Sequence, residues 1–140
     1  MKKIAAIDIG SNAVRMLICY VLINKNESFF QKNQYIRLPL RLGEDSFKTG
    51  YISDDKINTL SNALLSFKYT MKVHEVEHYQ IYATSALRDS KNSNDVIKQI
   101  YDITGMKIKL IDGLKEAKVI AMGNPIEKLE FDKTYLYVDV

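Results

Sequence analysis

Three short segments of the sequence carry residues that can bind phosphate or activate water. The first, residues 8–12 (DIGSN), lies between two apolar runs. Glycine permits backbone conformations that other residues resist, so at Gly10 the chain can reverse while Ser11 and Asn12 direct N–H groups and short side chains toward one point. Such a turn suits a phosphate, and Asp8 beside it could hold a magnesium ion. The alternative is a hairpin turn that bonds only its own backbone.

The second segment, residues 83–92 (ATSALRDSKN), follows a short β-prone run. Thr84 or Ser85 can cap the start of a helix, where unpaired N–H groups bind anions. Arg88 would project near that start, and its planar guanidinium matches the geometry of phosphate oxygens. The alternative is a surface turn in which Arg88 pairs with Asp89.

The third segment, residues 111–117 (IDGLKEA), turns at Asp112-Gly113 into a helix predicted over residues 114–122. Glu116 falls in the first turns of that helix. If this end faces the opening turn, Glu116 could orient and deprotonate a water molecule. Otherwise it is an acid that balances the helix dipole.

Two arginines outside these segments are also candidates. Arg15 interrupts an otherwise apolar strand and needs a carboxylate partner, which Asp8 or a later acid could supply. Arg41 lies in a segment broken by Pro39 and Gly43, where it could reach an anion or remain a solvated surface group.

The elements that position these residues alternate along the chain. The opening strand, a strand over Val14–Ile23 buried on both faces and a strand over Ser28–Leu38 form an antiparallel meander. A loop over Asp45–Tyr51 leads to a long helix capped by Ser53. The pattern then predicts a strand at 79–84, a helix from Asn94 or Asp95 to Gly105, and strands at 106–111 and 134–140. The apolar stripe of the long helix consists of Ile57, Leu60, Leu64, Phe67 and Met71.

Composition excludes several classes of protein. The 140 residues have a net charge of +3, too small to identify a DNA-binding protein. A single cysteine, Cys19, excludes a disulfide framework and favours a cytoplasmic setting. No run approaches the roughly twenty apolar residues of a membrane helix. His74 and His78 are four apart, but no third zinc ligand is evident, which favours a surface loop.

Together and in this order, the three segments resemble the first domain of the exopolyphosphatase / guanosine pentaphosphate phosphohydrolase (Ppx/GppA) family. The resemblance implies an α/β fold of the actin-like ATPase (RNase H-like) type, in which an antiparallel three-strand meander belongs to a five-stranded mixed sheet flanked by helices. It also implies that inorganic polyphosphate or guanosine pentaphosphate is the substrate. The roles implied are a phosphate loop at Gly10-Ser11-Asn12, phosphate contact by Arg88 with support from Arg15 and Arg41, a general base at Glu116, and a divalent metal (Mg²⁺) at Asp8 and Asp139.

The sequence departs from the family pattern in two places. Lys115 stands where the family often has an acid, and the strand at 134–140 reaches Asp139-Val140 without the glycine-rich second phosphate loop. The resemblance therefore implies that residues 1–140 form one domain that supplies half of an active site. We expect this domain to be inactive alone and to self-associate through the surface left open. The alternatives are an actin-like kinase or ATPase domain that binds ATP, and a non-catalytic domain that binds polyphosphate.

Overall fold

The computed structural model describes residues 1–24 and 27–113. The predicted helix over 114–122 and strand over 134–140, with Glu116 and Asp139, lie outside the described residues. Within these ranges, five strands and four helices follow one another in the order β1, β2, β3, α1, α2, β4, α3, α4, β5. Their bounds are β1 Lys2–Ile9, β2 Ala13–Asn24, β3 Glu27–Pro39, α1 Leu42–Thr49, α2 Asp54–Val73, β4 His78–Ala83, α3 Ser85–Arg88, α4 Ser93–Thr104 and β5 Lys109–Leu110.

The strands form one mixed sheet in the order β3-β2-β1-β4-β5. The meander β1-β2-β3 is antiparallel, whereas β4 pairs in parallel with β1 and with β5. The long chain segments that contain α1, α2 and α4 supply the crossovers that parallel neighbours require. The predicted α/β fold with a meander in a five-stranded mixed sheet is confirmed.

The core lies between one face of this sheet and the helices. Val14, Met16 and Ile18 of β2 are buried there, and the predicted apolar stripe of α2 is buried with them. The prediction that β2 is buried on both faces is wrong, because its alternate side chains, including Arg15 and Leu17, are only half-buried. Successive strand residues point to opposite faces, so only one set can enter a single core.

The loop predicted over Asp45–Tyr51 is wrong, since most of it belongs to α1. Gly43 suggested a break, yet it lies in the first turn of the helix. A Cβ atom there would come within 2.8 Å of the Phe47 ring and 3.3 Å of the Ser11 Cβ. Gly43 therefore allows α1 to approach the opening turn closely, and Gly50 ends the helix in the left-handed conformation with φ 79°.

The other boundaries agree more closely with the predictions. Ser53 accepts a hydrogen bond from the Lys56 N–H at the start of α2, and Gly105 ends α4 with φ 70°. The strand predicted over 106–111 is shorter, because only Lys109–Leu110 pairs with β4. None of the helices in the described ranges combines the length and apolar character that crossing a membrane requires.

Candidate functional site

The first two segments singled out in the sequence meet at one edge of the sheet, together with Ile111, the first residue of the third. β1 and β4 are parallel, and Ile9 is opposite Ala83, so the carboxyl ends of both strands lie side by side. The Thr84 N–H donates to the Ile9 carbonyl at 3.2 Å, and the Ile111 N–H donates to the Ala83 carbonyl at 3.1 Å. Ligands of open α/β sheets bind beyond the carboxyl ends of the strands, which makes this edge the candidate site.

The opening turn at Gly10-Ser11-Asn12 is held by backbone hydrogen bonds to α1. The Gly43 N–H donates to the Ser11 carbonyl at 2.9 Å, and the Asn12 carbonyl accepts from the N–H groups of Leu40 (3.1 Å) and Arg41 (2.9 Å). These bonds fix the backbone of the turn, while the Asn12 side chain remains exposed.

Gly10 contributes space to this turn rather than an unusual backbone angle. The positive-φ residues among the described ones are Arg41, Gly50, Glu75 and Gly105, and Gly10 is not one of them. A Cβ atom at Gly10 would lie 3.3 Å from the Ala13 carbonyl oxygen and 3.5 Å from Arg15 Nη1. The expectation that Gly10 adopts a conformation closed to other residues is therefore wrong, and its role is to let the Ala13 carbonyl approach closely.

Two serine hydroxyls join the first and second segments. Ser11 Oγ and Ser85 Oγ lie 3.0 Å apart, and either can donate. Thr84 occupies the N-cap position of α3 but forms no capping hydrogen bond through its side chain. Ser85, the first residue of α3, therefore contacts the opening turn directly.

Arg88 is the last residue of α3 and contacts both the second and third segments. Its Nε and Nη2 atoms donate to the two carboxylate oxygens of Asp89 at 2.7 and 3.0 Å, and its Nη1 donates to the Ile111 carbonyl at 3.1 Å. The hydrogen bonds from Arg88 lower the pKa of the Asp89 carboxyl. The predicted Arg88–Asp89 surface pair is therefore present, and it lies at the same edge of the sheet as Ser11 and Ser85.

Asp8 and Arg15 face each other across the antiparallel β1–β2 pair. Arg15 Nη1 donates to Asp8 Oδ2 at 2.9 Å, so the predicted carboxylate partner of Arg15 is confirmed. The Asp8 side chain is 45% exposed and the Arg15 side chain is 41% exposed. A half-exposed pair leaves the Asp8 carboxylate accessible to a cation from solvent.

The described residues contain no group of three or more His, Cys, Asp and Glu side chains that could hold a metal ion. Magnesium, however, keeps several waters and is commonly bound through one or two carboxylates together with substrate phosphates. Asp8 fits that donor set as a single accessible carboxylate at the edge where phosphate would bind.

The side chain of Arg41 does not contact the other candidate site residues in the described part of the chain. Arg41 caps α1 in the left-handed conformation with φ 53°, and its Nη1 atom lies 3.4 Å from Glu44 Oε1. The side chain is 70% exposed, as a solvated surface group would be. Its backbone N–H, bonded to Asn12, is the part that contacts the opening turn.

Sequence reasoning missed Ser46, which ties α1 to α3. Ser46 is buried, and its Oγ donates to the Ala86 carbonyl at 2.7 Å. The acceptor is 40 positions away in the sequence, and no local pattern indicates the pairing.

Comparisons with known proteins agree with this architecture. The model of the Ppx/GppA phosphatase family matches residues 22–140. A bifunctional 3-dehydroquinate synthase/phosphatase of Fusobacterium nucleatum is 36% identical over 118 residues, which are 82% of this chain and 18% of that protein. Exopolyphosphatase 2 of Mycobacterium tuberculosis is 27% identical over 128 residues, 88% of this chain and 40% of the relative.

A solved structure shares the fold. The crystal structure of the Aquifex aeolicus Ppx/GppA family member superposes with a TM-score of 0.73 at 25% sequence identity. The match covers 82% of this chain and 36% of the Aquifex chain. The chain thus spans two fifths or less of the length of these proteins. Because the family model covers residues 22–140, most of the sequence, the chain belongs to the Ppx/GppA phosphatase family.

Proposed function

We propose that this chain binds the phosphate groups of a phosphohydrolase substrate, inorganic polyphosphate or guanosine pentaphosphate, from which the terminal phosphate is released. Two observations carry the proposal: Ser11 contacts Ser85 where β1 and β4 end, and Arg88, in the same short helix as Ser85, donates to the Ile111 carbonyl. Phosphoryl transfer needs donors that absorb charge on the phosphate oxygens, and this edge concentrates hydroxyl and guanidinium donors.

The serine pair and Arg88 supply different kinds of contact. When one hydroxyl of Ser11 and Ser85 donates to the other, the second proton of the pair stays available for a phosphate oxygen. Arg88 would bind the phosphate chain by exchanging Asp89 for phosphate oxygens, which match the planar guanidinium equally well. The site therefore binds substrate by replacing an internal ion pair with an intermolecular one.

A divalent cation such as Mg²⁺ would be held by Asp8, with Asp139 as a second ligand from outside the described residues. When bound, it would neutralise charge on the phosphates as the terminal group leaves. Arg15 orients the Asp8 carboxylate beside the phosphate loop through the 2.9 Å hydrogen bond.

Glu116, which lies outside the described residues, is the proposed general base that aims and deprotonates the attacking water. The support is indirect: Ile111, five residues earlier, pairs with Ala83 at the same edge of the sheet. A base must lie within hydrogen-bond reach of the water, and a segment that starts at this edge can supply one.

We further propose that the 140 residues bind substrate but hydrolyse it slowly or not at all alone. The support is that the chain spans only 18% and 40% of the two phosphatase relatives. A domain that binds polyphosphate without turnover, and an ATP-binding domain of a kinase or ATPase, are the competing functions. The Ppx/GppA membership favours the phosphohydrolase over the kinase.

Calorimetric titration of tripolyphosphate, with Mg²⁺ and with EDTA, tests the binding site. Arg88→Ala should weaken binding by about 1.5–3 kcal/mol, roughly 10- to 150-fold, because a charge-assisted contact is lost. Lys72→Ala is the control, since it removes one positive charge at the end of α2 that leads to the amino end of β4, away from the site. Equal affinity in Arg88→Ala and the unmodified chain would refute the site, and tighter binding of ATP than of tripolyphosphate would favour the kinase alternative.

Glu116→Gln tests the mechanism separately. In any form of the protein that releases phosphate, we expect turnover to collapse while tripolyphosphate affinity stays unchanged. A parallel loss of binding and turnover would argue against Glu116 as the base. Steady Mg²⁺-dependent phosphate release by the 140 residues would overturn the proposal that they supply only one side of the site.

A further inference from the structure

The linker between α3 and α4, residues 89–92, is hydrogen-bonded to the linker between α1 and α2. The side-chain amide of Asn92 forms two hydrogen bonds with the backbone of Ile52. Asn92 Oδ1 accepts from the Ile52 N–H at 3.0 Å, and Asn92 Nδ2 donates to the Ile52 carbonyl at 2.8 Å. The Lys91 N–H donates to the Gly50 carbonyl at 2.8 Å. Asn92 and its neighbour therefore join two linkers that are far apart in the sequence.

Asn92 makes this contact in place of capping the helix that follows it. It occupies the N-cap position of α4, where an asparagine side chain usually accepts from the first N–H groups of the helix. Its side chain forms no capping hydrogen bond. The next residue, Ser93, is buried, and its Oγ has no hydrogen-bond partner in the described part of the chain. Such departures from local preference are expected where a functional site must be held in one geometry.

The linker connects Asn92 to Arg88 with little freedom between them. Only three residues separate the two, and each of the three is hydrogen-bonded. The Asp89 N–H and the Ser90 Oγ donate to carbonyls of α3, and the Lys91 N–H donates to the linker after α1. A displacement at Asn92 would therefore reach the end of α3, where Arg88 lies.

We propose that Asn92 is a positioning residue for phosphate binding, which holds the end of α3 so that the Arg88 guanidinium is already oriented when a phosphate arrives. This inference rests on the proposed function. The side-chain hydrogen bonds of Asn92 go to Ile52, so Asn92 acts through the linker and not by contact with the ligand. A side chain that is oriented in advance loses less conformational freedom on binding, which raises affinity.

The variant Asn92→Ser separates this role from the stability of α4. Serine caps a helix about as well as asparagine does, so the start of α4 keeps a good N-cap residue. The serine hydroxyl is a single polar atom one bond closer to the backbone, so it cannot reproduce both contacts of the amide with Ile52. We expect calorimetry to show about fivefold lower affinity for tripolyphosphate in Asn92→Ser.

Lys68→Met is the matched control for a lost contact between distant segments. Lys68 Nζ donates to the Thr104 carbonyl at 2.7 Å, at the far end of α4 from Asn92. Removing this hydrogen bond should leave tripolyphosphate affinity within about twofold. A fivefold loss in Lys68→Met as well would show that any loosening of α4 weakens binding, and the positioning role of Asn92 would be overturned.

A double-mutant cycle tests whether Asn92 acts through Arg88. If it does, Asn92→Ser lowers affinity in the unmodified chain but changes nothing further in the Arg88→Ala background, because the side chain that it positions is absent. A merely structural residue would lower affinity by the same factor in both backgrounds. Equal losses in the two backgrounds, or no loss in Asn92→Ser alone, would therefore overturn the inference.

A measurement without ligand distinguishes this inference from the function on which it rests. The hydrogen bonds from Arg88 lower the pKa of the Asp89 carboxyl from its ordinary value of 3.8, and in Asn92→Ser this pKa should rise toward 3.8 as Arg88 becomes less ordered. Carbon NMR during a pH titration would follow it, and an unchanged pKa would count against the positioning role. If instead Arg88→Ala binds tripolyphosphate as the unmodified chain does, the proposed function fails and this inference with it.

Discussion

Arg88 is held by the residue that follows it, and this pairing determines how it can bind phosphate. Both carboxylate oxygens of Asp89 accept from the Arg88 guanidinium, while the Ile111 carbonyl accepts from Nη1. A phosphate that approaches Arg88 must compete with Asp89 for the same two donors. We therefore expect Asp89 to lower the affinity of the proposed site for phosphate.

Asp89→Asn should raise tripolyphosphate affinity about threefold, because the amide competes for the guanidinium less strongly than a carboxylate does and removes a negative charge beside the ligand. Titration calorimetry at pH 7 would measure the change, with Asp55→Asn in the first turn of α2 as the control for charge. Weaker binding in Asp89→Asn would instead mean that Asp89 holds Arg88 in its binding orientation.

The sequence predicts side-chain pairs correctly when the two residues are close in the chain or lie opposite each other in adjacent antiparallel strands. The Asp8–Arg15 pair follows from a tight turn between two antiparallel strands, which places the residues opposite each other. Gly10 was interpreted as a conformational requirement, whereas the structure shows a steric one. A glycine in the sequence shows that a side chain is absent, but it does not show which neighbouring atoms lie where that side chain would be.

At the scale of elements, α1 connects the first and second segments, for which we propose phosphate binding. Its first turn donates from Gly43 to the Ser11 carbonyl, and one turn later Ser46 donates to the Ala86 carbonyl in α3. The helix thus fixes the distance between the turn that carries Ser11 and the helix that carries Ser85 and Arg88. Any loosening of α1 should be transmitted to both segments.

Ser46→Ala should destabilise the protein by about 1–3 kcal/mol, because the buried Ala86 carbonyl loses its donor. We expect tripolyphosphate affinity to fall as well, under conditions where the variant is fully folded. Ser66→Ala is a matched control, since Ser66 Oγ also donates to a backbone carbonyl at 2.7 Å but lies within α2. Urea unfolding and calorimetry would measure the two effects, and an unchanged affinity would limit Ser46 to stability.

The helix α1 was also the element that sequence reasoning failed to predict. Pro39 and Gly43 resembled breakers, and the eight residues Leu42–Thr49 include only two large apolar side chains, Leu42 and Phe47, too few to form a repeated stripe. Its stability comes from contacts distant in sequence, such as Ser46 with Ala86, which no local pattern contains. By contrast, α2 was predicted because its apolar stripe extends over five turns and Ser53 caps it.

At the scale of the whole molecule, several carboxylates make stability depend on acid pH. The Ser53 hydroxyl lowers the pKa of Asp45, and hydrogen bonds from Lys3 and Arg88 lower those of Glu75 and Asp89. A carboxyl whose pKa is lower in the folded chain than in the unfolded one stabilises the fold above its ordinary pKa. That stabilisation is lost as the pH falls below the ordinary values of 3.8 and 4.5 and through the lowered ones.

We therefore expect the urea midpoint to stay nearly constant from about pH 7 to about pH 5 and to decrease as the pH falls below about 4.5. Asp45→Asn should reduce this decrease, because the hydrogen bonds that Asp45 of α1 accepts from Ser53, the cap of α2, are stronger when its carboxylate is ionised. Asp54→Asn, an exposed acid in the same first turn of α2, is the control. If the urea midpoint of Asp45→Asn decreased at acid pH as much as that of the unmodified protein, the proposed contribution of Asp45 would be contradicted.

The parallel pairing of β1 with β4 has a consequence for the order of folding. The meander joins strands that follow one another directly, so its turns can form early and locally. Ser11 and Ser85, however, are 74 positions apart, and their contact requires closure of a long loop that holds α1 and α2. We therefore expect the edge that carries Ser11 and Ser85 to assemble late in folding, so that tripolyphosphate binding during refolding would follow the completion of the sheet rather than the formation of its first hairpins.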